Sequence, residues 1–479
     1  MYMTPYIRGK VMEVDNASMT DVKNPYDQST FAQVYMAGES DMRRAIDAAA
    51  DAFPEWSKTP PAAREGILIK AAALLEERKK QFLDILISEA GSTVIKAGFE
   101  VMFTANMLRS AAGEARRLFG EVMPSDLPGL MSFALRKPLG VVAGISPFNF
   151  PLILGTKKLC MAIAAGNTFV HKPSEETSLL ALAVAEVFND AGLPEGVLNV
   201  VPGDGKTLAA VIVEDPRVKL VTFTGSTAVG RLLAEQCGKA GKKLTLEMGG
   251  KNPLVVLKDA DLDYAVDTAA FGTFIHQGQI CMAGTRIVVE APVYDDFVER
   301  FAKKVAGLKR GDPRDPATVI GPLIRAKQCP FIKAHLDEAV AKGARIVAGG
   351  NYEGQLFEPT VLADVTPEMS AFRTELFGPV AAVCRADDAD HALRLANDNS
   401  YGLSSAVLTN DLQQALRFAE ELEAGMVHIN GPTVHDEPHI PFGGIKDSGL
   451  GREGGQWSME EMTEMKWVTI QRGHRHYPF

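Results

Sequence analysis

With 479 residues, 46% hydrophobic and 23% charged, the chain has the make-up of a globular protein, and its length implies roughly three domains. A formal net charge of −10 without a basic run argues against nucleic-acid and anionic-membrane partners, and no apolar stretch approaches the ~18 residues of a membrane span. The five cysteines are scattered, odd in number and lack Cys-x-x-Cys spacing, which indicates neither a disulfide framework nor a zinc site; with no apolar leader after Met1, the expected compartment is the reducing cytoplasm.

Residues 1–38 read as an N-terminal arm of short strands and turns, the clearest turn being Asn24-Pro25-Tyr26-Asp27. Ser40 is placed to cap a helix reaching Phe53, Pro61 opens one long helical pattern through Leu68, Leu75, Phe82 and Leu86, and a third helix is expected over 98–118. Residues 119–140 change to a hairpin, with strands over 120–124 and 130–135. Strands at 141–145, 168–171, 197–201 and 218–223 then alternate with helices from Pro151, over 178–190 and over 208–214. That alternation specifies a parallel doubly wound sheet with its crevice at the carboxyl ends of the strands.

The usual dinucleotide glycine pattern is missing: Gly203 and Gly205 have no third partner, and Gly225 to Gly230 is followed by Arg231 rather than a P-loop lysine. Thr224-Gly225-Ser226-Thr227 still follows a strand and opens a helix, where a phosphate-holding turn and a plain helix cap are equally open readings. A second α/β series starts at Asn252, with strands at 253–257, 286–290, 345–347, 381–385 and 405–409 and helices at 262–274, 294–305, 330–342, 388–397 and 412–422. The final strand, 466–471, forms with the 119–140 hairpin a candidate edge for another subunit.

Two stretches carry reactive chemistry. Cys281 sits between Gly278 and Gly284, whose freedom lets the backbone bend and present N–H groups to an oxygen anion formed at the target of the sulfur. Glu247 ends a strand just before Gly249 and Gly250, where a carboxylate can be aimed into a cleft. On residue type alone, a free cysteine is usually a small buried hydrophobe and a strand-end glutamate usually a solvated one.

Seven ordered motifs decide between these readings: Pro147-Phe148-Asn149-Phe150-Pro151, His171 to Glu175, Phe223 to Thr227, Leu246 to Lys251, Gly278 to Cys281, Glu375 to Pro379 and Pro441 to Gly444. Together they resemble the NAD(P)-dependent aldehyde dehydrogenase superfamily over nearly the whole chain. The resemblance implies two doubly wound α/β domains and a small β oligomerisation element: a cofactor domain of 1–118 with 141–248, a catalytic domain of 249–455, and an oligomerisation element of 119–140 with 456–479. It implies Cys281 as nucleophile, Glu247 as general base, Asn149 as an oxyanion donor and Lys172 as a further catalytic-site residue. For the cofactor it implies Ile145, Ser146, Phe148, Lys172, Pro173, Ser174, Glu175, Gly225, Ser226, Glu375 and Phe377. Glu175 favours NAD, because a carboxylate accepts from a ribose hydroxyl and repels a 2′-phosphate; Lys172 is near enough to offset part of that repulsion and admit NADP. A homodimer or homotetramer is also implied.

The segments Glu89 to Ala97 and Phe274 to Met282 are similar to the bacterial branch acting on benzaldehyde and vanillin. Phe150, Ile275, Ile280, Met282 and Phe442 match positions of the family's substrate tunnel and are apolar enough for a ring; core packing is the competing reading. The acidic Asp436-Glu437 pair is expected to repel a second carboxylate on the substrate, whereas Lys157 would attract one. Aliphatic aldehydes and semialdehydes are the alternative substrates. His435 and His439 have metal-like spacing, but Pro438 breaks the helix that would align them, so no metal is expected. His276 raises a rival from another class, a cofactor-free cysteine hydrolase. A silent scaffold is disfavoured by the presence of both Cys281 and Glu247, and coenzyme A acylation by a carboxylate able to activate water.

Overall fold

The computed structural model describes residues 2–12 and 19–479, so Met1 and the 13–18 portion of the expected arm lie outside the described residues. The first large sheet has eight strands in the order Gly449–Leu450, Lys243–Glu247, Val218–Thr224, Val141–Ile145, Thr168–Lys172, Leu198–Val200, Tyr6–Ile7 and Lys10–Val11. Its five central strands are parallel. Strand order reverses beside Val141–Ile145, because the chain winds first through Thr168–Lys172 and Leu198–Val200 and then returns to Val218–Thr224 on the other side. At such a reversal the connecting helices leave on opposite faces and open a crevice beyond the carboxyl ends. Register brings Ile145 opposite Phe223 and Lys172, and Thr224 opposite Glu247, so these expected site residues share one end of the sheet.

The second sheet runs Arg345–Ala348, Thr360–Ala363, Val380–Ala386, Arg286–Glu290, Pro253–Val256, Ser404–Leu408 and Met426–Ile429, and only the Arg345–Ala348 pairing is antiparallel. Both strands flanking Pro253–Val256 run parallel to it, and their near-continuous Val, Ile, Leu and Ala runs match burial on both faces. The five residues 248–252 join the two large sheets from Glu247 to Pro253, and the chain returns from the second sheet to the edge of the first between Ile429 and Gly449. A separate antiparallel sheet pairs Thr463–Gln471 with Leu130–Pro138 over nine residues, with Glu121–Met123 on its far edge.

Several local expectations change. The first helix, Glu39–Trp56, starts before Ser40; its cap is Gly38, whose N–H donates to Asp41 Oδ2 at 3.0 Å. The single helix expected after Pro61 is two, Pro61–Glu77 and Lys79–Ala90, divided at Arg78, which leaves helical geometry with ψ 16°. The third helix is Val94–Glu114 rather than 98–118, because the Thr93 side chain accepts the Lys96 N–H and fixes an earlier start. Strands Thr360–Ala363 and Met426–Ile429 extend the second sheet beyond the expected set.

The helix Pro151–Ala165 is buried along its whole length, packed against the first sheet and the helices Val94–Glu114 and Ser178–Ala191. Burial of every face explains its nearly uniform apolar sequence. Lys157 and Lys158 are the charged exceptions. Among the described residues no helix is long and apolar enough to cross a membrane.

Candidate active site

Cys281 is held by a strained turn. His276, Gln277 and Gly278 are consecutively left-handed, with φ of 51°, 55° and 68°. Such a conformation costs on the order of 1–3 kcal/mol at a non-glycine residue and persists only where neighbours impose it. They do so here: Gln277 Nε2 donates to the carbonyls of Pro322 at 3.0 Å and Gly91 at 3.3 Å, and any side chain at Gly278 would strike the carbonyl of Gly378. The backbone then passes close over Gly250, where a Cβ would lie 2.5 Å from the Cys281 carbonyl oxygen. Asn252 Nδ2 donates to that same oxygen at 2.8 Å and to the Ala283 carbonyl at 3.0 Å.

Of the five cysteines, Cys281 alone is not fully buried. Its thiol is pushed up to about 12, chiefly by burial and then by the carboxylates of Glu375 and Glu247. Glu247 is 3% exposed, and its Oε2 has no hydrogen-bond partner. Burial first, and the neighbouring Glu453 next, raise its carboxyl well above the usual range, while Lys158, Lys157 and Arg452 oppose the rise. Gly443 leaves room for it, since a Cβ there would fall 2.8 Å from Glu247 Oε1. Glu453 itself is ion-paired with Lys158 and accepts from Thr222 Oγ1 at 3.1 Å. Lys158 and Glu453 were not singled out from the sequence, where nothing but a charge inside an apolar run marked Lys158.

A cleft of about 1010 Å³ opens at the strand-order reversal and reaches Cys281 and Asn149. Ile145, Ser146, Phe148, Lys172, Ser174, Glu175, Gly225, Ser226, Glu375 and Phe377 line it; Pro173 does not. Glu175 Oε1 accepts from Lys172 Nζ at 2.8 Å and from the Gly205 N–H at 2.7 Å, which ties Lys172 to the Glu175 end of the cleft. Glu375 Oε1 accepts from the Gly250 N–H at 3.1 Å, and burial pushes its carboxyl up to about 7 against the pull of that N–H and of Lys251. Phe377, itself left-handed at φ 47°, meets Phe148 edge to face with centroids 5.8 Å apart.

The residues present fit a dinucleotide. Thr224 Oγ1 and Gln279 Nε2 are buried polar atoms lining the cleft without partners, and the helix Thr227–Lys239 starts at Ser226 with no side-chain cap on its N–H groups. A side chain at Gly225 would overlap the Phe223 ring, so this turn is kept bare.

On the other side of Cys281, Met282 and Phe442 join it in one apolar cluster with Leu403 and Met426. Phe150 lies edge-on to the His276 ring at 5.4 Å and under the Lys96 ammonium at 4.4 Å. Ile280 is buried and Ile275 half-buried, and neither belongs to the Cys281 cluster. Asp436 and Glu437 separate, contrary to their expected joint role. Asp436 turns inward onto Lys157, with Nζ–Oδ2 at 2.9 Å, while Glu437 meets His435 at 3.1 Å and His439 at 3.8 Å. The Lys157 cation is therefore already neutralised. Burial works against its charge, but Asp436 and Glu453 outweigh burial and hold it protonated.

Among the described residues no group of three or more His, Cys, Asp or Glu is arranged to hold a metal. His276 makes no hydrogen bond to Cys281, and burial drives its imidazole well below the usual range, so the Cys-His pair of a hydrolase is not assembled.

A crevice of this size at a strand-order reversal, ending at an accessible thiol with a buried carboxylate nearby, has the make-up of a cofactor-dependent oxidoreductase. The chain belongs to the aldehyde dehydrogenase family, whose profile matches residues 12–468, and it is an oxidoreductase acting on aldehydes. It is 46% identical to a vanillin dehydrogenase of Pseudomonas fluorescens, covering 95% of each chain. It is 42% identical to a benzaldehyde dehydrogenase of Bacillus subtilis, covering 99% of this chain and 98% of the relative. A salicylaldehyde dehydrogenase from Pseudomonas putida G7, solved with salicylaldehyde, superposes with a TM-score of 0.98 at 35% identity over 100% of both chains.

Proposed function

We propose that this protein oxidises an aromatic aldehyde of the benzaldehyde or vanillin type to its carboxylic acid with NAD as acceptor, and that Cys281, Glu247 and Asn149 carry the chemistry. The observation that supports this best is the apolar cluster of Met282 and Phe442 around Cys281, at the end of a cleft fitted to a dinucleotide. Relatives named for vanillin, benzaldehyde and salicylaldehyde agree with a ring-bearing substrate.

In this reading the Cys281 thiol gives its proton to solvent water, Sγ bonds to the aldehyde carbon, and the carbonyl electron pair moves to oxygen. The Asn149 side-chain amide and the Cys281 N–H donate to that oxyanion, each worth about 10²–10³ in rate. NAD, when bound, supplies the hydride acceptor. Loss of the hydride leaves an acyl group on Cys281 as a thioester. Glu247 then takes a proton from water, the resulting hydroxide adds to the acyl carbon, and the C–S bond breaks to release acid and thiolate. A carboxyl raised by burial is matched to this duty, since a base works best when its pKa approaches the ambient pH.

Glu175, Lys172, Gly225 and Ser226 would hold the adenosine and pyrophosphate, and Glu375 with Phe377 the nicotinamide ribose. NAD is favoured over NADP because Glu175 faces the cleft and Lys172 is already engaged with it. The division into cofactor, catalytic and oligomerisation parts stands as proposed from the motifs, with subunits joining through Thr463–Gln471. That strand is the unpaired edge of its sheet and presents Met465, Trp467 and Ile470 to solvent.

The test is initial NADH formation with benzaldehyde, vanillin, hexanal and succinate semialdehyde, repeated with Cys281→Ala. Aromatic aldehydes should lead by tenfold or more in kcat/KM, about 1.4 kcal/mol, and the variant should be inactive. A lead by hexanal or the semialdehyde would refute the aromatic assignment, and an active Cys281→Ala protein would refute the mechanism.

A further inference from the structure

Lys157 and Asp436 have no part in the chemistry above, yet they sit beside it. Lys157 is 1% exposed, and its Nζ donates to Asp436 Oδ2 at 2.9 Å and Oδ1 at 3.2 Å. The same ammonium lies 4.2 Å from the centre of the Phe442 ring, which belongs with Leu403 and Met426 to the apolar cluster that Cys281 and Met282 pack against. Asp436 keeps 14% of its side chain exposed. A buried cation thus stands against an aromatic ring of the cluster that holds the reactive cysteine, and the carboxylate that occupies it is the more accessible partner.

We infer that Asp436 determines specificity: by occupying the Lys157 ammonium it excludes aldehydes that carry a second carboxylate, and a neutral residue in its place admits them. The inference rests on the aldehyde-oxidising reading above. Removing one partner of a buried pair leaves the other uncompensated, so the site gains a strong preference for an anion of any source. Of the acids that act on Lys157 besides Asp436, Glu247 alone has no partner of its own and is the internal competitor; the others around it are committed. Glu453 is paired with Lys158 and Thr222, and Glu437 points to His435 and His439 at the surface. A substrate carboxylate entering beside Phe442 would therefore take the place of the Asp436 carboxylate, charge for charge.

The experiment compares kcat/KM for benzaldehyde, 4-carboxybenzaldehyde and succinate semialdehyde in the parent, Asp436→Asn, Glu437→Gln and the Lys157→Met, Asp436→Asn double variant. Asp436→Asn should raise the ratio of a carboxylated aldehyde to benzaldehyde at least tenfold, Glu437→Gln should leave it unchanged, and the double variant should lose the gain. A ratio within threefold of the parent in Asp436→Asn, or a gain that survives Lys157→Met, overturns the inference. So does a shifted pH profile without the gain, since Lys157 would then have turned to Glu247. If Asp436→Asn is unfolded at the assay temperature, glutarate must raise its melting temperature by several degrees more than it raises the parent's; no such difference also overturns it. A parent inactive on all the aldehydes refutes the underlying reading, and this inference falls with it; an active parent with an unmoved ratio refutes this inference alone.

Discussion

Gly249→Ala should cripple use of the cofactor while leaving the fold intact. A Cβ at this position would fall 2.8 Å from the carboxyl carbon of Glu375 and closer still to its Oε2, so the carboxylate must retreat. Gly249 is not in the left-handed region, so alanine strains only this contact. Retreat breaks the 3.1 Å hydrogen bond from the Gly250 N–H to Glu375. A hydrogen bond to a charged group is worth about 1.5–3 kcal/mol, which corresponds to a fall of about 10- to 150-fold in kcat/KM for NAD. Initial rates across NAD concentration at saturating benzaldehyde read this directly, and a melting curve checks the fold. Shortening the opposing side chain by one methylene, about 1.5 Å, relieves the contact, so the Gly249→Ala, Glu375→Asp double variant should outperform Gly249→Ala alone. A Gly249→Ala protein within threefold of the parent, or a double variant worse than the single, would refute the placement of Glu375 as a cofactor clamp.

Glu247→Gln should form NADH in one rapid burst of about one equivalent per subunit and then stall, with steady-state kcat down by about 10²–10⁴; stopped-flow absorbance that shows no burst would sink its assignment to thioester hydrolysis. Because Glu375 is raised to about 7, it is neutral below that pH and a carboxylate above it. The KM for NAD should thus fall as pH rises through 7, and Glu375→Gln should flatten that dependence. Trp467→Glu places a charge on the exposed strand edge, and light scattering should then report monomers where the parent assembles.

What was legible in the sequence follows the range of the interactions involved. The helix Leu262–Phe274 and the strand Arg286–Glu290 match their expected bounds because apolar periodicity and a capping Asp261 are local. The turn at Cys281 was legible through Gly278 and Gly284, but its clamps at Gly91, Pro322 and Gly378 were not, for they come from distant segments. Lys158 finds Glu453, and Lys157 finds Asp436, across 295 and 279 residues. No spacing rule spans such a gap, which is why Asp436 was read only as half of an anion-repelling pair with Glu437 and not as the counter-ion of Lys157. Thr360–Ala363 and Met426–Ile429 were not assigned from the sequence; pairing with their neighbours in the sheet makes them strands.

The connector 248–252 carries a consequence for anyone who would remodel this protein. Surface loops tolerate added length at small entropic cost. Here Glu247 closes one sheet, Gly249 abuts Glu375, Gly250 abuts the Cys281 carbonyl, Asn252 grips the backbone on both sides of Met282, and Pro253 opens the next sheet. One inserted residue must either slide Pro253–Val256 by a position, turning its side chains to the wrong faces, or displace the carboxylate from the sulfur. Chimeras that exchange halves with a relative should therefore be spliced away from this pentapeptide, which acts as a fixed-length spacer between the two sheets.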